Sequence, residues 1–526
     1  MACLNSMSQQ YQAEIAVPVC IAVYNVYEKL RDKYVYATSN PRFYDFVWGL
    51  KETGPTRFNR TCFHTVNFKP QKPHSYVDGD NECIDEEQEW YSYVNGWAKN
   101  NITYPKNCPC NGYRAIKNRS NCLISEFSNN AVNELIDFWS NNITKVIDVS
   151  SYTNMEQEHW LDSLDAKKRE LKRQGAEMND KLGFVEHTET KAFVKMEPYN
   201  FKKDNENEEM QDLDPRVISG RYADYDAYGG PIIKRLSKVL SSIWSYEDNN
   251  LVDGVFRRIP GITYYSTGHN KASIGKWFKS VANGYRLYNT DYSRFDASTH
   301  RGLLSLEHLV LTSLYGDNMN SDFARWLGVQ LSTHGSMVWR KKDLTRKIKY
   351  GCEGTRKSGD QNTSLGNTIV NVLVQLYGLH KATGRSIEDL LESEDVKILA
   401  LGDDTVLATR FAIPQEYVSI IRDLGLKITM DEKCVHTVRF CSSYFVPAMV
   451  NGEESYVLTQ LPGRNLTRAY TSHLEHKDWQ SWVKSNAYAY MQDYRHIPFM
   501  YYWHSSIHKR YDTYVAKSLS TYLDTT

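Results

Sequence analysis

The chain has 526 residues, with 63 Lys+Arg set against 63 Asp+Glu, so the formal net charge is zero. That balance excludes a uniformly basic nucleic-acid coat but allows a locally basic channel. Hydrophobic residues at 41% and charged residues at 24% support buried cores and exclude a wholly disordered chain. The length fits about three or four domains, or one large multi-lobed fold.

The best apolar run near the start, residues 15–24, is far shorter than the ~18–20 residues of a membrane span and contains Pro18. It reads as a buried strand, and no membrane span or signal peptide is expected. Cys62-x-His64, Cys83, Cys108-x-Cys110 and Cys122 concentrate thiols in the N-terminal region. No C-x2-C pair is present and the spacings are irregular, so reduced, buried thiols are expected rather than a structural zinc.

Residues 156–182 are predicted as one helix, with Trp160, Leu161, Leu164 and Leu171 on one side. Its basic residues Lys167, Lys168, Arg169, Lys172 and Arg173 are expected on a solvated face. Residues 200–215 are polar without an apolar period and are expected as a loop. Pro231 is expected to open an amphipathic helix through Ile232, Ile233, Leu236 and Leu240. Residues 336–350 read as a basic hairpin, and residues 362–380 as a strong helix with Leu365, Ile369, Val372, Leu373 and Leu376 on its apolar face. Two strands are predicted over 396–409 and two more over 424–449. The tail beyond residue 470 reads as helical, its aromatic residues packing a core or interface.

The chemistry concentrates in VKILALGDDTVLA, residues 396–408, where two apolar strands meet at a turn carrying Asp403 and Asp404. Gly402 permits the turn. Adjacent carboxylates repel, and a hard divalent cation such as Mg²⁺ relieves that repulsion. Upstream, YNTDYSRFDAS supplies Asp291 and Asp296. A third carboxylate on a neighbouring strand is what a two-metal site needs, with ions ~3.5–4 Å apart clamping an in-line displacement. Between them, KSGDQNTSLGNT places Ser358 and Gly359 in a turn before a helix. There Thr363, Asn367 and Asn371 fall at i, i+4, i+8, a polar stripe that suggests a cleft-facing side.

These three motifs, D-x4-D, S-G-D-x-N-T-x3-N and G-D-D, resemble in order and spacing those of viral RNA-dependent RNA polymerases of positive-strand RNA viruses. The tombusvirus-like and nodavirus-like groups are most similar. AFVKMEP (192–198) with DPRVISGR (214–221) is similar to the family's basic fingers motif. GLKITMDEK (425–433) is similar to its general-acid motif, FCSSYF (440–445) to its primer-gripping hairpin, and LPGRNLTR (461–468) to the start of its thumb.

The resemblance implies an α+β right hand of fingers, palm and thumb, with an antiparallel palm sheet backed by helices. The resemblance covers about residues 190–470: 185–261 would be fingers, 262–316 and 358–455 palm, 317–357 a fingers hairpin, and 456–526 thumb, while residues 1–184 lie outside it and are expected to be folded, onto the fingers. Asp291, Asp403 and Asp404 would bind Mg²⁺, with Mn²⁺ as its substitute, and Lys433 (alternatively Lys427) would be the general acid. Lys195 and Arg216 would hold the triphosphate, with Lys202, Lys203 and Arg221 as looser candidates. Asp296 and Asn367 would sense the ribose, supported by Thr363, and Ser358 and Gly359 would also bind the nucleotide. Lys341, Lys342, Arg346, Arg464 and Arg468 would grip RNA, helped by Arg340, Lys347 and Lys349. The expected partners are RNA template and product, rNTPs, and other replicase or host membrane proteins. The setting implied is the host cytoplasm, in membrane-associated replication complexes. A reverse transcriptase is disfavoured because Asp296 and Asn367 match the ribonucleotide-selecting pair and Gly402 precedes the acids. An RNA-binding scaffold with a dead palm is disfavoured because all three metal-site acids are intact.

Overall fold

The computed structural model describes residues 55–514, except 64–67, 84–86, 95–101, 149–155, 188, 201–213, 247–256, 266–270, 317–318, 342–343 and 451. The run 15–24 and most of the segment 200–215 therefore lie outside the described residues. Helices and sheets are mixed, an α+β arrangement.

The central sheet has the order β14–β9–β13–β12–β8. Its strands are β8 (Ile262–Tyr264), β9 (Arg286–Tyr292), β12 (Val396–Leu401), β13 (Asp404–Thr409) and β14 (Ile428–Lys433). All neighbours are antiparallel except β12 and β8. The strands place Val, Ile and Leu on both faces, because both faces are covered. One face packs on the helix Thr363–Thr383, buried continuously from Leu365 to Leu379. The other face packs Leu399, Val406 and Ala408 against Trp277 and Phe278 of the helix Lys271–Val281. Phe445 and Leu458 close that core from a small sheet of β15 (Arg439–Phe440), β16 (Ser443–Val450) and β17 (Glu453–Gln460). The segment 424–449 thus holds three strands rather than two, because the turn at Cys441-Ser442 splits off β15.

A second five-stranded sheet joins β2 (Tyr76–Gly79), β11 (Leu344–Glu353), β10 (Ser332–Lys341), β5 (Glu189–Val194) and β7 (Val217–Gly220) in that order. The predicted hairpin is its centre, with ten paired residues on each strand. A third sheet, β1 (Thr56–Asn59), β3 (Glu89–Ser92) and β18 (Thr471–Ser472), ties the N-terminal region to the C-terminal helices Trp479–Asp493 and Pro498–Arg510. The short strands β4 (Ile102–Thr103) and β6 (Tyr199–Asn200) pair separately.

Two helix expectations need correction. The helix containing Pro231 begins at Ala223 and runs to Ile243, so the proline sits inside it. Gly229 and Gly230 just before it let the Trp326 and Trp160 rings lie against the backbone. That packing offsets the hydrogen bond a proline removes. The segment 156–182 is two helices, Gln157–Asp162 and Ala166–Leu182. Asp165 caps the second by accepting a hydrogen bond from the Lys168 N–H. Leu171 is 52% exposed rather than part of an apolar face. The basic residues there pair with protein acids: Lys168 with Asp165 at 3.0 Å, Arg173 with Glu158 at 3.3 Å, and Lys172 with Asp226. Among the described residues no helix is long and apolar enough to cross a membrane.

Candidate active site

The β12–β13 hairpin turns through two residues, Gly402 and Asp403, with Gly402 at φ +61°. A positive φ at the first turn position alone is the type II′ pattern, which suits strand twist and wants glycine there. The helix Thr363–Thr383 clasps this turn from below. The Gly402 N–H donates to Thr368 Oγ1 at 2.8 Å, and Asn371 Nδ2 donates to the Gly402 carbonyl at 2.9 Å and to Thr405 Oγ1 at 2.7 Å. Gln375 donates to Asn371 Oδ1 at 2.6 Å, and the Tyr292 hydroxyl donates to the same oxygen at 3.0 Å. Asn371, expected to face a cleft, is instead fully buried and fixes the acidic turn.

The register Thr405 opposite Thr290 brings Asp404 alongside Asp291 on the adjoining strand. Asp291 lies opposite Thr429 on β14. The tips of all three acids are exposed, yet the surrounding protein mass takes water from around them. Burial raises the Asp403 carboxyl to about 6, aided by repulsion from Asp404, Asp296 and Asp291. Burial and repulsion from Asp291 also raise Asp404, against the favourable charge of Arg464 and a hydrogen bond from Cys441. Asp291 is raised by burial and by Asp431, against a hydrogen bond from the Tyr292 N–H. Hard oxygen donors that repel one another in this way fit divalent cations.

Asp296, on the next turn, accepts from Asn367 Nδ2 at 2.8 Å and from the Ser358 hydroxyl. Arg356 donates through Nε to Asn367 Oδ1 at 2.9 Å and pairs with the fully buried Glu307. Asn362 donates to Glu307 at 2.6 Å. Thr363 supports the turn below rather than the pair itself, donating to the carbonyls of Lys357 at 2.9 Å and Asp360 at 2.8 Å. Gly359 packs against the Ser219 carbonyl so closely that a Cβ would lie 2.3 Å from it.

The other candidates are dispersed. Lys195 and Arg216 come together across β5 and β7, but on an acid: Glu197 lies 3.0 Å from Lys195 and 3.6 Å from Arg216. Arg221 is buried against Asp360 at 2.7 Å, which removes it from any channel surface. Lys433 pairs with Asp431 at 3.4 Å and lies opposite Leu287. Four residues separate it from Thr429, about 13 Å along the strand from the Asp291 row. Lys427 is exposed at the other end of β14, where its carbonyl accepts from the Ser293 N–H at 3.0 Å. Arg346 is held by Asp80 at 2.7 Å and Glu82 at 3.7 Å, while Arg340, Lys347 and Lys349 are exposed. Lys342, Lys202 and Lys203 lie outside the described residues. Arg464 donates to the Ser442 hydroxyl at 3.0 Å, with Arg468 on the same helix, Pro462–Arg468.

Sequence reasoning missed Cys441, Arg356 and Glu307. Cys441 reaches Asp404 because it and Ser442 both hold left-handed backbone, φ +48° and +56°, in the β15–β16 turn. Nothing in the order of residues marks non-glycine residues for that geometry. Arg356 adjoins the Ser-Gly-Asp motif, but its acid lies 49 residues away.

The model of a family described as viral RNA dependent RNA polymerase matches residues 75–522. An RNA-directed RNA polymerase of Pothos latent virus (isolate Pigeonpea/India) is 26% identical over 289 residues, 53% of this chain and 33% of the relative. That of Carnation mottle virus is 27% identical over 264 residues, 49% and 29% of the two chains. That of Pariacoto virus is 24% identical over 166 residues, 31% and 16%. The matches thus span a third or less of the length of these relatives. The family match takes in the β9 acid, the Ser-Gly-Asp turn and the β12–β13 hairpin, and this chain belongs to the viral RNA-dependent RNA polymerases.

Proposed function

We propose that the chain performs template-directed RNA synthesis, joining rNTPs to an RNA 3′-hydroxyl in replication of a viral genome. The observation that carries this is the position of the Asp296–Asn367 pair beside the Asp291, Asp403 and Asp404 cleft. A sugar-sensing pair next to a metal-binding trio suits nucleotidyl transfer and little else. In this reading the sheet β14–β9–β13–β12–β8 with its helices is the palm. The sheet β2–β11–β10–β5–β7 belongs to the fingers, and the chain from about residue 456 is the thumb.

Asp291 and Asp403 would hold divalent metal, Mg²⁺ with Mn²⁺ as substitute, and Asp404 would stand beside them. Such ions supply charge neutralisation at the attacking and leaving oxygens. Arg464, facing Asp404, keeps a cation near the charge that phosphoryl transfer gathers. Lys195 and Arg216 are triphosphate holders that exchange Glu197 for phosphate, a more highly charged and bidentate partner. Lys433 remains the proposed proton donor to pyrophosphate, with Lys427 as the alternative; to act, Lys433 must leave Asp431 and cross the offset that separates it from the Asp291 row. Arg464, Arg468 and the exposed cations of β10 and β11 contact RNA phosphates, so binding weakens with salt. The reading includes assembly with other replicase or host membrane proteins in cytoplasmic, membrane-associated complexes.

A primer-extension assay with rNTPs and Mg²⁺ on an RNA template tests the proposal. Asp403→Ala should abolish incorporation and leave RNA affinity within about two-fold, because the metal acids do not grip phosphates directly. Equal incorporation by wild type and Asp403→Ala refutes the metal assignment. Preference for dNTPs returns the reading to a reverse transcriptase.

A further inference from the structure

Four of the cysteines that looked irregular in sequence meet at one point. Cys62 Sγ lies 3.0 Å from Cys83 Sγ and 3.5 Å from Cys108 Sγ, and Cys108 Sγ lies 2.9 Å from Cys110 Sγ. All four sulfurs fall within 4.8 Å of one another, and among the described residues this is the one group of three or more Cys, His, Asp or Glu so tightly gathered. All four are free thiols. Cys122, the fifth thiol of the region, is apart from them, donating to the Asn118 carbonyl at 2.9 Å.

From this geometry we infer a tetrathiolate zinc site formed by Cys62, Cys83, Cys108 and Cys110. Four thiolates around one point are a closed structural zinc set. Zn–S bonds of 2.3 Å at tetrahedral angles put sulfurs about 3.8 Å apart. The thiols need only move outward by a few tenths of an ångström to receive the ion. Binding replaces four S–H bonds by four Zn–S bonds and releases four protons to solvent, leaving a site of net charge −2. Lys106 Nζ lies 3.5 Å from Cys83 Sγ and partly offsets that charge.

The scaffold around the sulfurs is built to hold them. Asn111 is fully buried and makes three hydrogen bonds. Its Oδ1 accepts from the Phe63 N–H at 2.9 Å, and its Nδ2 donates to the carbonyls of Thr61 at 3.0 Å and Lys106 at 2.8 Å. One side chain thus joins the segment of Cys62 to that of Cys108 and Cys110. Cys83 lies in the loop following β2, which is fixed by the pairing of Asp80 with Arg346 on β11. Asn107, beside Cys108, accepts from the Trp339 indole on β10 at 3.0 Å. The ion would therefore fasten three N-terminal segments to the β10–β11 hairpin. The role is structural, distinct from nucleotidyl transfer, and it stands whether or not the proposed function does.

The full chain, expressed with zinc supplied and purified under reducing conditions, is assayed for metal by plasma mass spectrometry and for its ligands by zinc-edge X-ray absorption. About one zinc per chain with an all-sulfur shell near 2.3 Å is expected. Cys83→Ser and Cys110→Ser should each lose most of the zinc, while Cys434→Ser and Asp403→Ala keep it. Retention by Asp403→Ala separates this site from metal held at the acids. Should the serine variants fail to fold, the wild-type stoichiometry and sulfur shell decide alone. A zinc content near zero, a nitrogen or oxygen shell, disulfides joining these cysteines in the reduced preparation, or an iron- and sulfide-containing protein overturns the inference.

Discussion

In the proposed function, Asp296 is the residue on which substrate choice would turn. Both of its carboxylate oxygens are engaged, one by Asn367 and one by the Ser358 hydroxyl. It sits one residue inside the short helix Phe295–Ser298, where no side-chain cap forms, so a capping role does not explain it. A site built to bond a hydroxyl rejects the analogue lacking it, because its polar groups are left unpaired. Asp296→Ala and Asn367→Ala should each narrow the preference for rNTPs over dNTPs by about five-fold or more, since one unpaired buried group costs about 1–3 kcal/mol. The double variant should add little, because the two act as one unit. Single-nucleotide kinetics with both sugar types measure this, and undiminished discrimination in both variants sinks it. Asp403 carries a different signature. Its folded-state carboxyl titrates near 6, above the ordinary 3.8. The folded protein therefore gains a proton before the unfolded chain does as pH falls. Ionised Asp403 weakens the fold above pH about 6, and that weakening fades between about 6 and 4. Asp403→Asn in EDTA should raise the melting temperature at pH 7.5 and lose that gain by pH about 4. A gain that does not depend on pH contradicts the repulsion described for these acids.

The helix Thr363–Thr383 shows at element scale how one segment serves two sites. Asn367 reaches Asp296 on one side, and Thr368, Asn371 and Gln375 hold the acidic turn on the other. Behind Asn367 stands Arg356, fully buried with Glu307. Removing one partner of a buried pair strands the other charge, at about 3–5 kcal/mol. Glu307→Leu should lower the unfolding free energy by that amount, read as a lower urea midpoint, and loosen sugar discrimination through Arg356. Glu307→Gln, which can still accept from Arg356, should do less of both. A midpoint unmoved by Glu307→Leu means that Arg356 finds water. This helix was legible because its apolar period is a local signal. The start of the helix at Ala223 was not, since Gly229, Gly230 and Pro231 look like a break until Trp326 and Trp160 are placed against them. The cap at Asp165 was readable and overlooked. The grouping of Asp291 with Asp403 and Asp404 was legible because motifs in order carry these acids. The Glu197 that ties up Lys195 and Arg216, the Glu307 beneath Arg356 and the meeting of four cysteines depend on tertiary placement. Neither spacing nor periodicity encodes such contacts.

At the scale of the whole molecule, the N-terminal region bridges parts that the sequence reading kept separate. It was expected to fold onto the fingers. β2 does join β11, but β3 pairs with β18 beside the C-terminal helices, and Leu135 and Trp139 of the helix Asn129–Asn142 enter the core beneath the central sheet. Tyr93 is one joint between the first and last parts of the described chain. Its N–H donates to the Tyr470 carbonyl at 2.9 Å, its hydroxyl donates to the Leu474 carbonyl at 3.2 Å, and it accepts from the His476 N–H at 2.7 Å. Its ring lies 5.0 Å from Trp482 and 6.1 Å from Trp479, centroid to centroid. Truncating a buried aromatic residue costs about 3–5 kcal/mol, and deleting only its hydroxyl about 1–3 kcal/mol. Tyr93→Ala should therefore lower the melting temperature more than Tyr93→Phe. In the proposed function the joint would help close the protein around the cleft, and it touches neither the acids nor the Asp296–Asn367 pair. Addition of one nucleotide to a bound primer should then stay within about two-fold of wild type below the new melting temperature. Long products should become scarcer, because a loosened joint lets RNA leave between steps and salt sharpens that loss. Product-length distributions under a heparin trap, run beside single-nucleotide extension, separate the two effects. If single-nucleotide addition and product length fall together, the joint supports the catalytic cleft itself and the bridge between the first and last elements is part of the active fold rather than a closure around it.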